Sequence, residues 1–89
     1  MTRKHRLAYN ALRKINAPVY ERVDIKNFQI SAEHNFDPKY GNTLWADYYD
    51  GHTIGSDWEF GVNPLITETL NKYGLYAEWI NAGELGVYE

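Results

Sequence analysis

Three histidines, two serines and twelve carboxylates are the side chains from which a catalytic or metal site in this 89-residue chain would have to be assembled. A hydrolytic or acid–base site needs a nucleophile or carboxylate held in place by neighbouring groups. Neither Ser31 nor Ser56 lies in a Gly-x-Ser-x-Gly turn. His5, His34 and His52 are far apart, one at a helix start and two in loops. There is no cysteine, which excludes thiol nucleophiles, disulfides and thiolate metal sites. Asp47, Asp50, His52 and Asp57 gather around one loop, but a calcium loop needs ligands at alternate positions and a closing glutamate. The glycines at 51, 55, 61, 74, 83 and 86 stand singly in turns, which matches neither a dinucleotide fingerprint nor a phosphate loop. The expectation is a protein with no catalytic, cofactor or metal site.

Binding surfaces are better represented. Aromatic residues make up 16% of the chain, and most follow residue 44. Each buried ring removes about 150–250 Å² from water, so a few of them can stabilise a core that would otherwise be too small. Tyr and Trp are also enriched in interfaces. The net charge of −3 hides an asymmetry: residues 1–42 carry eight Lys/Arg against four Asp/Glu, and residues 43–89 carry one Lys against eight. Folding must produce either two faces of opposite sign or a neutralised seam.

The elements that would position these groups can be read along the chain. Ala8, Ala11, Leu12 and Ile15 follow a helical period, with Thr2 as N-cap and Pro18 ending the pattern. Arg3, Arg6, Asn10, Arg13 and Lys14 then form a basic outer face. Val19 to Val23 and Phe28 to Ala32 alternate as strands, and His34 to Asn42 is a loop rich in turn residues. Leu44, Ala46 and Tyr48 alternate with Trp45, Asp47 and Tyr49, which predicts a third strand running to a turn at Asp50-Gly51. Its partner is expected at Trp58, Phe60 and Val62, with His52 to Ile54 as the other candidate.

Asn63 and Pro64 start a second helix whose apolar stripe is Ile66, Leu70 and Tyr73, and Gly74 ends it. A hairpin closes the chain, with Leu75 to Ile80 turning through Asn81–Glu84 into Leu85–Tyr88. The order α-β-β-β-(β)-α-β-β predicts a single α+β domain over residues 1–89. It should carry an antiparallel sheet of four to six strands with both helices on one face. The basic start is followed by no apolar run of the kind that marks a secretory signal. No stretch approaches the length of a membrane span. The expected location is the cytoplasm.

If Leu44, Ala46 and Tyr48 face the core, the alternate residues must face outward. Trp45, Asp47 and Tyr49, with Trp58 and Glu59 nearby, then form an exposed aromatic and acidic patch of the kind that marks an interface. The expected function is binding through protein contacts, to a partner protein or as a homodimer. Two other partners follow from charge. The basic helix face of Arg3, Arg6, Arg13 and Lys14 could track nucleic-acid phosphates. Asp47, Asp50, Asp57, Glu59, Glu78, Glu84 and Glu89, interleaved with rings, could instead imitate a nucleic-acid surface. The order helix, three strands, helix resembles that of double-stranded-RNA-binding domains. However, the second helix opens Asn63-Pro64-Leu65-Ile66-Thr67-Glu68, without the basic cluster those domains use to grip phosphates. The stretch from Trp58 to Pro64, with that from Tyr76 to Glu89, resembles short accessory proteins of tailed bacteriophages, marine ones included. That resemblance spans about a third of the chain and implies action in a host cytoplasm by binding; it assigns no residue a role.

Overall fold

The computed structural model describes residues 1–49 and 57–89. Helix α1 (Arg3–Lys14) is capped by Thr2, whose Oγ1 accepts the His5 N–H at 3.3 Å. It ends where Asn16 turns left-handed at φ 67°, letting the Ala17 N–H reach back to the Leu12 carbonyl at 3.0 Å. Helix α2 (Pro64–Lys72) begins at Asn63, whose Oδ1 accepts the Leu65 N–H at 2.9 Å. It stops at Gly74 (φ 74°), where the Leu75 N–H donates to the Leu70 carbonyl at 2.9 Å. Both ends of α2 are those its sequence specifies.

Four strands form one antiparallel sheet: β1 (Val19–Arg22), β2 (Asn27–Ser31), β3 (Tyr76–Asn81) and β4 (Glu84–Tyr88). Their spatial order is β1-β2-β4-β3. The pairings Val19↔Ile30, Ile30↔Leu85 and Leu85↔Trp79 put these side chains on one face, with Phe28, Val87 and Ala77 in the next row. Both helices cover that face. Ala8 and Leu12 of α1 and Ile66 and Leu70 of α2 join Phe28, Ile30, Leu85 and Val87 in a single hydrophobic core. The expected α+β class, antiparallel sheet and one-sided helices are all present, with the sheet at its smallest expected size.

The predicted third strand is absent. Leu44 to Tyr49 makes one isolated bridge, Ala46↔Val62, and Glu59↔Val62 makes another. The reason lies in Asn35. Its Oδ1 accepts the N–H groups of Trp45 (2.9 Å) and Ala46 (3.3 Å), while its Nδ2 donates to the Ala46 carbonyl at 2.7 Å. One side chain thus takes the main-chain groups that a strand ladder would have used. With no strand there is no alternation of faces. Ala46 is buried and Tyr49 exposed as expected, but Trp45 is buried and Tyr48 half exposed, the reverse of the expected arrangement. The turn expected at Asp50-Gly51 and the pairing considered for His52 to Ile54 lie outside the described residues.

His5 is the other departure in the core. It lies on the same helical stripe as Ala8 and Leu12, and only 8% of it is exposed. Burial holds its imidazole below the ordinary value of 6.5, outweighing the nearby Glu89 carboxylate, which acts the other way. Protonating His5 therefore opposes folding. Its contribution to stability is complete above pH 6.5 and is lost as the pH falls below it. Thermal unfolding followed from about pH 7 to about pH 5.5 should show a falling midpoint, and a smaller fall in His5→Gln. Equal slopes in the two proteins would contradict this assignment.

Candidate functional site

The largest group of exposed rings gathers beside β3. Trp79 points to the helix side of this edge strand, and its indole Nε1 donates to the Phe60 carbonyl at 2.7 Å. Tyr48 meets the Trp79 ring edge-on at a centroid distance of 5.3 Å, and Tyr49 stacks edge-on against Tyr48 at the same distance. Exposure rises outward along this group, from 51% at Tyr48 to 74% at Tyr49 and 85% at Phe60.

Phe60 owes its position to a strained turn. Glu59-Phe60-Gly61-Val62 closes with a Val62 N–H to Glu59 carbonyl bond of 3.0 Å, and both central residues are left-handed, Phe60 at φ 54° and Gly61 at φ 78°. A glycine adopts that conformation freely, whereas a bulky side chain pays about 1–2 kcal/mol. Two hydrogen bonds tie the turn to the core: Asp47 N–H to the Gly61 carbonyl at 2.8 Å and Asn63 N–H to the Trp45 carbonyl at 2.9 Å. The Asn63 side chain adds a third tie through Nδ2 to the Leu44 carbonyl at 2.9 Å. The ring is thus held out in water by a well-anchored backbone.

Between this turn, α2 and β3 lies a cleft of about 370 Å³. Phe60, Val62, Ala77 and Trp79 supply its apolar wall, Thr67 and Asn71 of α2 its hydrogen-bonding groups, and Glu59 and Glu78 its charge. Of the five residues expected to form an interface, the structure brings Glu59 to the cleft and leaves Tyr49 exposed beside it. Trp58 is half-buried, and Asp47 anchors the segment through its N–H and accepts the Tyr49 N–H at 3.0 Å. Trp45 does not belong to the surface. It is 1% exposed, with its indole N–H donating to the Tyr40 carbonyl at 2.9 Å. Tyr48, Phe60 and Trp79 take its place. The Phe-Gly pair at residues 60 and 61 was the available signal for the turn; nothing local marked Trp79, because its position depends on the order of strands.

The basic helix face is present but partly neutralised. Arg3, Arg6, Arg13 and Lys14 are all exposed on α1. Arg6 pairs with Glu21 at 3.3 Å, and Arg13 lies 5.7 Å from the centre of the Tyr9 ring. Lys4 pairs with Glu89 at 2.8 Å, and this bond is the first cause holding the Glu89 carboxyl below its ordinary value. Lys4 and Glu89 thus join the basic and acidic halves through an exposed ion pair. The resemblance to double-stranded-RNA-binding domains fails on architecture as well, since among the described residues two strands rather than three precede α2 and two follow it.

The sheet face away from the helices carries a polar network. Arg22 binds both carboxylate oxygens of Asp24 (3.0 and 2.8 Å), and its Nη1 donates to Gln29 Oε1 at 2.9 Å. The Tyr20 hydroxyl donates to the same Gln29 oxygen at 3.0 Å. Burial, followed by the Glu84 carboxylate, raises the Tyr20 pKa above its usual 10.0. These groups satisfy one another and leave no reactive hydroxyl near neutral pH. Among the described residues, no three His, Asp or Glu side chains are placed to hold a metal ion. Nor is any helix there long and apolar enough to cross a membrane. No protein-family model, curated protein or solved structure matches this chain.

Proposed function

We propose that the protein is a non-catalytic binding domain acting through protein contacts, and that its contact surface is the aromatic and acidic cleft beside β3. One observation carries the reading: Phe60, Tyr76 and Trp79 line a cleft of about 370 Å³, Tyr48 and Tyr49 extend the ring cluster outward from Trp79, and Phe60 is held 85% exposed on a strained backbone. Exposed large rings clustered at a concave surface are the usual anchors of protein interfaces.

Two variants test it. Phe60→Asn places a residue that tolerates the left-handed conformation and should leave stability unchanged or raise it by up to about 1 kcal/mol. Tyr49→Ser removes a second exposed ring at almost no cost to folding. Solution mass by light scattering over a concentration series, at low and high salt, comes first. Capture of proteins from the producing cell's lysate comes second. Either a salt-resistant dimer or a specific captured protein is expected, weakened about tenfold or more by the paired variants. A strict monomer whose captured partner is indifferent to both substitutions would refute the assignment. If Arg3, Arg13 and Lys14 instead control a capture that collapses with salt, the surface is the nucleic-acid-binding helix face.

A further inference from the structure

Tyr76, Ala77, Glu78 and Trp79 are consecutive residues of β3, and all four line the cleft. Successive side chains of a strand point to opposite faces of its sheet. A hollow touched by an unbroken run of strand residues therefore lies against the edge of the strand. There the main-chain N–H and C=O groups face outward. β3 is the outermost strand on this side, and among the described residues no strand pairs with its outer edge. Edges of this kind are usually blunted by Lys, Pro or a bulge. Tyr76–Trp79 contains neither residue, and the register irregularity of β3 falls beyond it, between Trp79 and Asn81.

Charge selects the occupant. Glu59 and Glu78 are the charged residues of the lining, both acidic, and exposed Asp57 lies two positions before Glu59. The rings of Tyr76, Phe60 and Trp79 offer faces on which a guanidinium or ammonium group can rest. The geometry points to an extended, basic segment of a partner protein that adds to the sheet along β3 as a fifth strand, its Arg or Lys side chains meeting Glu59, Glu78 and the rings. This rests on the protein-contact reading and specifies the partner's chemistry and mode of binding. A second copy is a poor fit for the same edge. Antiparallel self-pairing centred on Glu78 sets two carboxylates opposite one another and brings two acidic clefts together.

The test uses the whole protein and defined hexapeptides at about 0.15 M salt. The probe is acetyl-(Val-Arg)3-amide, compared with acetyl-(Val-Glu)3-amide and with two forms of the basic peptide N-methylated at alternate residues, one in each register. Titration calorimetry gives affinity, and backbone amide shifts locate the site. The basic peptide should bind and shift the amides of Tyr76–Trp79, and the acidic peptide should not bind. N-methylation in the register that faces β3 should weaken binding about tenfold, since main-chain hydrogen bonds are lost while charge is kept. Glu59→Lys with Glu78→Lys, both on exposed positions, should weaken it by about tenfold or more.

Equal binding of the unmethylated peptide and both methylated forms would reduce the effect to charge adhesion and overturn strand addition. So would a dimer in which the amides of β3 are protected, because a second copy would then hold the edge. If no basic peptide binds while Phe60→Asn and Tyr49→Ser still cost the protein its partner, strand addition falls and the protein-contact reading stands. Loss of both would sink both.

Discussion

Trp45→Ala should lower the stability of the fold by about 3–5 kcal/mol, the cost of removing a fully buried tryptophan from a core that cannot collapse around the gap. Small domains have only about 5–15 kcal/mol to lose. The ring is 1% exposed, and it belongs to the same core as Phe28, Ile66 and Leu85. Its indole N–H satisfies the Tyr40 carbonyl, and that acceptor would be left behind in the variant. For a domain of this size the thermal midpoint should fall by about 15 °C or more. Urea unfolding monitored by circular dichroism measures this directly. Tyr49→Ala, four residues away and 74% exposed, should change stability by about 0.5 kcal/mol or less. A Trp45→Ala protein with an unchanged midpoint would return this residue to the surface and undo the assignment of the core.

Asn35→Ala should cost about 2–4 kcal/mol, because it strips partners from main-chain groups that cannot all find water. Asn35 accepts from Trp45 and Ala46 and donates to the carbonyls of Ala46 (2.7 Å) and Ala32 (3.3 Å). Asn35→Asp separates these two halves of its role. The acceptor remains, but a carboxylate oxygen now faces the Ala46 carbonyl. The aspartate variant should therefore be weaker than wild type at neutral pH and recover on acidification towards about pH 4, where the carboxyl regains a proton to donate. Here the folded-state pKa lies above the unfolded one, so stability is present below the unfolded value and is lost as pH rises through the folded one. A pH-independent loss in Asn35→Asp would show that the donor half contributes nothing.

The same side chain explains what the sequence conceals. Both ends of α2 can be read from Asn63, Pro64 and Gly74 because each acts within one turn of where it stands. The closing hairpin is legible from the alternation of Ala77 and Trp79 with Tyr76 and Glu78. Leu44 to Tyr49 alternates just as cleanly, yet its hydrogen bonds are diverted by a residue ten positions earlier in the chain. Local patterning contains no trace of that. The proposed contact surface was half legible for a related reason. Glu59 lines the cleft and Tyr49 is exposed in the adjoining ring cluster, as the composition of that region suggested, whereas Trp79 reaches the cleft only because β3 ends up at the edge. Asn63 shows both situations in one residue. Its cap to Leu65 is local and predictable, and its reach to the Leu44 carbonyl is neither.

The order β1-β2-β4-β3 has a consequence for how the protein comes into being. β4, the last of the four strands to leave the ribosome, occupies an interior position between β2 and β3. Until residues 84–88 have been released, β3 has no neighbour and β2 has only β1. Growth of the nascent chain therefore cannot accumulate native sheet step by step. Leu85 and Val87 must arrive before α1 and α2 have a common surface to close upon. Assembly of the sheet is deferred until β4 has emerged. Translation halted shortly before Glu84 would yield a chain with its helices and the β1–β2 hairpin at most, exposing unpaired β3 and one open edge of β2 to whatever quality control the cell provides.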